Sequence, residues 1–276
     1  MLTDQGLGLK AQGLRVKVEW VLMALATGVA FASTSSLASN SSRAGQKDPV
    51  RIVLVGDSTV AEDSGWGPGF RRLAREGVEV INVAANGRSS RSFIDEGLWA
   101  KALAAHGQYY LIQFGHNDEP GKGPERETDP KTTFRTFISR YVDESRAAGA
   151  TPILVTSLVR RIFNTDGTIK TTQTPYVEAV RALASEKHAP LIDLFEISRS
   201  DAEHAGDDVW ADLSPRDDKG QVDRTHLNAK GSDVVGRMVT DALVHAVPAL
   251  QRFFPSPTAE RLDRTGRSSG AAFVAR

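Results

Sequence analysis

The chain has 276 residues, in which 34 lysines and arginines balance 34 acids and there is no cysteine. A formal charge of zero supplies no electrostatic ground for a nucleic-acid or anionic-membrane partner. Without thiols there is no disulfide scaffold, no cysteine-ligated zinc or iron–sulfur site, no thiol nucleophile and no lipidated cysteine.

At the amino end, Lys10, Arg15 and Lys17 precede an apolar run from Trp20 to Ala32. The run is shorter than the ~20 residues a membrane span needs, and it closes on Ala30-Phe31-Ala32, small residues at signal-peptidase spacing. Residues 1–32 therefore read as a signal peptide and 33–48 as a polar linker; an uncleaved anchor or an amphipathic helix is the alternative. The expectation is an exported protein, periplasmic or extracellular, with no stable membrane insertion after processing.

Residues 49–254 form the expected domain. Strands are predicted at 51–55, 78–83, 109–114, 152–157 and 190–194, all short and rich in β-branched or aromatic residues. Helical patterns fall at 69–75, 95–105, 132–148, 174–187 and 229–247. The fourth opens with Thr174-Pro175, read as a cap and a first-turn proline. The last stacks Val234, Val235, Met238, Val239, Ala242, Leu243 and Ala246 on one face. Strands alternating with helices predict an α/β fold with a five-stranded parallel sheet covered on both faces. The acid-rich tract 207–220 reads as a solvated face, with a border of the substrate cleft as the alternative. Residues 255–276, rich in Pro, Ser, Gly and Arg, read as a disordered tail. Within it Gly266-Arg267-Ser268-Ser269-Gly270 matches G-x-S-x-G, but nothing there can make the strand-to-helix turn that motif requires.

Parallel sheets bind ligands beyond the carboxyl ends of their strands, so the residues following each strand carry the functional information. Gly56-Asp57-Ser58-Thr59 follows the first strand, with one glycine and an acid where a pyrophosphate site would need several glycines. Asn86-Gly87-Arg88-Ser89-Ser90-Arg91 follows the second, Gly115-His116-Asn117-Asp118 the third, and Asp223-Arg224-Thr225-His226 precedes the last helix. Together these blocks supply what acyl transfer needs. A serine (Ser58) needs a base of near-neutral pKa (His226), and the base needs a carboxylate (Asp223) to hold its tautomer. The backbone N–H groups of Ser58 and Gly87 and the amide of Asn117 are suitable oxyanion donors.

Taken singly, each block has a plainer reading: a turn or cap at Asp57-Ser58, a turn glycine at Gly87, loop polarity at Asn117-Asp118. Asp223 and His226 could also be two metal ligands, but no third ligand lies at a suitable spacing, and no metal or other cofactor is expected. Trp66, Arg88, Arg91, Arg160 and Arg161 follow strands or the first corner and are candidates to meet a sugar face or a uronate carboxylate. A core role for Trp66 and structural ion pairs for the arginines fit the sequence equally well.

At these residues the chain resembles the SGNH (GDSL) hydrolases. Their four blocks are matched in order by Gly56-Asp57-Ser58, Gly87, Gly115-His116-Asn117-Asp118 and Asp223-Arg224-Thr225-His226, over roughly residues 50–247. The strings Asn86–Phe93 and Leu111–Asp118, with Asp193 in the fifth strand, resemble the rhamnogalacturonan acetylesterase-like branch. Leu227 stands where relatives often carry an aromatic residue. The resemblance implies a flavodoxin-like three-layer α/β/α sandwich. It also implies Ser58 as nucleophile, His226 as base, Asp223 as its orienting acid, and an oxyanion hole of Ser58, Gly87 and Asn117. The implied activity is a cofactor-free acetylesterase acting on acetylated pectin; separately, the chain is expected to be a monomer. Alternatives are an acetylxylan or other carbohydrate or lipid esterase of this fold, and a non-catalytic glycan-binding protein.

Overall fold

The computed structural model describes residues 48–256. The expected signal peptide, the linker up to residue 47 and the tail from residue 257 lie outside the described residues. The strands are β1 (Val50–Gly56), β2 (Val78–Asn82), β3 (Tyr109–Gln113), β4 (Thr151–Val155) and β5 (Leu191–Ile192). They pair exclusively in parallel, in the order β2-β1-β3-β4-β5.

Alternate residues of each strand feed two separate cores. Ile52 and Leu54 of β1 join Ile153 and Val155 of β4 in one; Val53 and Val55 join Leu154 in the other. A sheet buried on both faces has no polar side, which explains the near-continuous apolar runs. The first core is closed by α1 (Gly67–Leu73), α6 (Leu194–Ala205) and α8 (Ala229–Ala246), through Phe70, Phe195, Val235 and Val239. The second is closed by α2 (Ser92–Asp95), α3 (Leu98–Leu103), α4 (Thr133–Ala147) and α5 (Thr174–Glu186), through Phe93, Trp99, Tyr141 and Val180. The result is a three-layer α/β/α sandwich with the flavodoxin-like strand order.

Four local expectations need correction. The pattern at 95–105 is two helices, α2 and α3, separated by Gly97 at φ +75°. At α5 Gln173 occupies the cap position and Thr174 is already helical. The fifth strand is only two residues long, because the chain turns at once into α6. There Thr156 Oγ1 donates to Asp193 Oδ1 (3.0 Å) and accepts from the Phe195 N–H (2.8 Å), drawing the backbone off the sheet. The acid-rich tract begins as a further short helix, α7 (Asp207–Ala211), with Trp210 and Leu213 wholly buried. This first part is an amphipathic cover, whereas residues 216–220 are exposed, as a solvated face would be.

α1 and α8 cross at glycines. A β-carbon on Gly69 would lie 1.9 Å from the Ser232 carbonyl oxygen, and one on Gly236 would lie 2.4 Å from the Phe70 nitrogen. Ser232 Oγ accepts the Gly69 N–H at 3.0 Å across this contact. Gly236→Ala should therefore destabilise the fold by about 1–3 kcal/mol, the usual cost of overpacking, measured as a lower midpoint of urea unfolding.

Candidate active site

From the carboxyl end of β1 the chain passes to α1 on one face, whereas from β3 it passes to α4 on the other. The crevice between these diverging paths is the switch point of a doubly wound sheet. Ser58 sits there, two residues past β1 and 8% exposed. Its corner is set by a buried polar chain. Asp57 Oδ1 accepts from the Thr59 N–H (2.9 Å) and hydroxyl (2.7 Å), and Gln113 Nε2 donates to Thr59 Oγ1 (2.6 Å). Trp66 Nε1 then donates to Gln113 Oε1 at 2.9 Å. Burial pushes the Asp57 carboxyl up, but nearby His116, 3.6 Å away, and the Thr59 donors hold it below its ordinary value.

The loop preceding α8 reaches the same point. Ser58 Oγ lies 2.9 Å from His226 Nε2, and His226 Nδ1 lies 2.7 Å from Asp223 Oδ2. Asp223 Oδ1 accepts from the backbone N–H groups of Thr225 (2.7 Å) and His226 (3.0 Å). Burial raises the Asp223 carboxyl, yet these N–H groups and the His226 ring keep it below the ordinary carboxylate range. An ionised Asp223 selects the tautomer with hydrogen on Nδ1, which leaves the Nε2 lone pair facing the serine hydroxyl. That arrangement can draw a proton from Ser58.

The second corner is fixed beside the first: the Ala85 N–H donates to the Gly56 carbonyl at 3.0 Å, and Gly87 turns at φ +75°. Asn117 Nδ2 donates to the Arg88 carbonyl at 3.1 Å, which orients its amide and leaves a second hydrogen for a ligand. Asp118, entirely buried, joins two loops through Ser90 Oγ (2.5 Å) and Thr128 Oγ1 (3.0 Å).

Two of the proposed sugar contacts are internal, which corrects the expectation for Trp66 and Arg161. Trp66 is fully buried in the first core. Arg161 is 1% exposed and points beneath the catalytic-type loop. Its guanidinium donates to the carbonyls of Thr225 (2.9 Å), His226 (2.6 Å) and Asp223 (3.3 Å) and to Ser214 Oγ (2.9 Å), and it lies over the Trp210 ring. Burial lowers it to about 10, opposed by Asp223, so it stays charged at neutral pH. Arg160 pairs with buried Glu119 and donates to the His116 carbonyl. Arg88 pairs with Glu96 and Arg91 with Asp95, both partly exposed at the surface.

Sequence reading missed the clamp made by Arg161 and Trp210. The available signal was the apolar pair Trp210 and Leu213 at helical spacing inside the acid-rich tract. Arg161→Met should lower the unfolding free energy by about 2–4 kcal/mol, because each orphaned buried acceptor costs ~1–3 kcal/mol. A wild-type urea midpoint in that variant would contradict the clamp.

Asp118 supports a pH prediction. Burial pushes its carboxyl up to about 7, against hydrogen bonds from Ser90 and Thr128 and with the Asp57 charge adding to the rise. Between its unfolded value near 3.8 and about 7, the folded state holds the extra proton, so stability falls as pH rises through that window. The stability of Asp118→Asn relative to wild type should thus increase from pH 4 to pH 7 and level off above, measured by urea unfolding across that range.

Comparison with known proteins identifies the family. The profile of the GDSL-like Lipase/Acylhydrolase family matches residues 54–234. Rhamnogalacturonan acetylesterase RhgT of Bacillus subtilis is 38% identical over 215 residues, covering 71% of this chain and 90% of that protein. Rhamnogalacturonan acetylesterase of Emericella nidulans is 31% identical over 222 residues, covering 72% of this chain and 86% of that protein. Among solved structures, protein YxiM of Bacillus subtilis superposes with a TM-score of 0.63 at 25% identity. That match covers 72% of this chain, which spans only 57% of the YxiM chain. With the profile spanning residues 54–234, more than half of the chain, the chain belongs to the GDSL-like lipase/acylhydrolase family.

Proposed function

We propose that the protein is a serine esterase that removes acetyl groups from a polysaccharide, with acetylated rhamnogalacturonan as its substrate. The observation that carries this reading is the unbroken line of contacts Ser58–His226–Asp223 at the switch-point crevice. The substrate class rests on the two acetylesterases that share most of their length with this chain.

In this reading Ser58 Oγ attacks the acetyl carbonyl carbon while His226 Nε2 takes the hydroxyl proton. The carbonyl oxygen becomes an oxyanion received by the N–H groups of Ser58 and Gly87 and the Asn117 amide. Collapse breaks the bond to the sugar oxygen, and His226 returns its proton to that oxygen as the alcohol departs. Water then attacks the acetyl-Ser58 ester, giving one proton to His226; collapse returns that proton to Ser58 Oγ and releases acetic acid, which loses its own proton to solvent as acetate. Asp223 remains ionised throughout and stabilises the imidazolium. Each proton and electron pair is accounted for by the chain, the ester and water, so the proposal calls on no cofactor.

Export directed by residues 1–32 would bring the enzyme to such polymers; no helix among the described residues is long and apolar enough to cross a membrane. The test is acetate release from acetylated rhamnogalacturonan and from acetylated xylan. Wild type should prefer the first, Ser58→Ala and His226→Ala should lose at least ~10³-fold in kcat, and Asn117→Ala should lose ~10²–10³-fold. Full activity in purified Ser58→Ala would end this assignment.

A further inference from the structure

We infer that Arg126 is the residue that selects an acidic polysaccharide, by binding the carboxylate of a uronate ring next to the acetylated hydroxyl. The inference rests on the acetylesterase reading above and assigns the group that distinguishes a pectic substrate from a neutral one.

The arginines that follow the strands are already engaged. Arg88 donates to Glu96 and to the Asn86 carbonyl, Arg91 to Asp95 and the Pro124 carbonyl, and Arg160 to Glu119. Arg161 is buried beneath the Asp223–His226 loop. Arg126 differs from all of them. Its Nη1 lies 4.0 Å from the point where a Gly87 side chain would begin, directly beside the second corner of the site. Among the described residues Nη1 and Nη2 carry no hydrogen bond; the side-chain contact is Nε to Glu125 Oε1 at 3.2 Å, with Glu125 largely exposed. An exposed pair between sequence neighbours is worth little and exchanges readily for a better partner.

The loop that carries Arg126 is held in shape. Glu127 Oε1 accepts the N–H groups of Gly121 (2.9 Å) and Gly123 (2.8 Å), both at positive φ. The Arg126 and Glu127 N–H groups donate back to the Gly123 carbonyl, each at 2.9 Å. At its far end Thr128 is fastened to Asp118, and in its middle the Pro124 carbonyl accepts from Arg91 at 2.8 Å. The guanidinium is thus offered from a pre-shaped support, which limits the ordering cost of binding. A planar fork whose Nη1/Nη2 edge is free fits a carboxylate through paired N–H donors, and a neutral sugar gives it no such partner.

The experiment compares Arg126→Gln with wild type on acetylated rhamnogalacturonan, on the same polymer with its carboxylates converted to methyl esters, and on acetylated xylan. The ratio of kcat/KM on the acidic polymer to that on acetylated xylan should fall about 10-fold or more in the variant, the scale of one charge-assisted hydrogen bond. Methyl esterification should reduce wild-type kcat/KM by a similar factor and alter the variant far less. If the ratio is the same in both proteins while wild type deacetylates the acidic polymer, the Arg126 assignment is wrong and the esterase reading stands. If wild type releases no acetate from the acidic polymer, the substrate reading fails and takes the assignment with it.

Discussion

The site depends on a constraint of chain path. β1 lies between β2 and β3 in the sheet, and the segments leaving β1 and β3 run to opposite faces. Two neighbouring parallel strands cannot both be roofed where their exits part, so the sheet opens at that point and nowhere else along its carboxyl edge does it need to. A short serine side chain on the first exit and an amide on the third are enough to line the opening. The imidazole arrives from a segment 168 residues away in sequence, across the full width of the domain's connectivity.

Such a long-range delivery needs a fixed loop, and here electrostatics does the fixing. A guanidinium removed from water loses solvation that only several good acceptors offset. Arg161 finds them in three consecutive-loop carbonyls, one hydroxyl and the face of Trp210. The same carbonyl contacts bend the backbone so that the Thr225 and His226 N–H groups converge on Asp223 Oδ1, leaving Oδ2 for the ring. Core packing, loop curvature and imidazole orientation are therefore one structure. The acid-rich cover belongs to it too, because α7 supplies Trp210 and, through Asp207, a partner for Arg224.

The strands and the polar corners were legible because both signals are local. Apolar runs such as those of β1 and β3 have no competing helical period, and Ser58, Asn117 and His226 each stand directly at the edge of an element. What stayed hidden was the direction in which neighbouring side chains turn. Trp66 looks like a rim residue until Gln113, 47 positions away, claims its indole N–H. Arg160 and Arg161 are adjacent in sequence, yet one reaches Glu119 and the other the Asp223–His226 backbone. The abrupt end of β5 depends on the Thr156 hydroxyl, which no pattern within 190–194 contains. Arg126 drew no notice because its loop follows a polar block and has no periodicity; its placement comes from the folding-back of Gly121–Glu127.

The carboxylate of Asp118 grips Ser90 on one wall of the crevice and Thr128 on the other. The latter wall is moored at its base by Asp118 and midway by the Arg91 contact to the Pro124 carbonyl, so side chains along its crest from Pro120 to Glu127 can be recharged while the chemistry at its foot keeps its alignment. Diversification of polymer preference on this scaffold then becomes a matter of rewriting one short surface insert between permanent moorings.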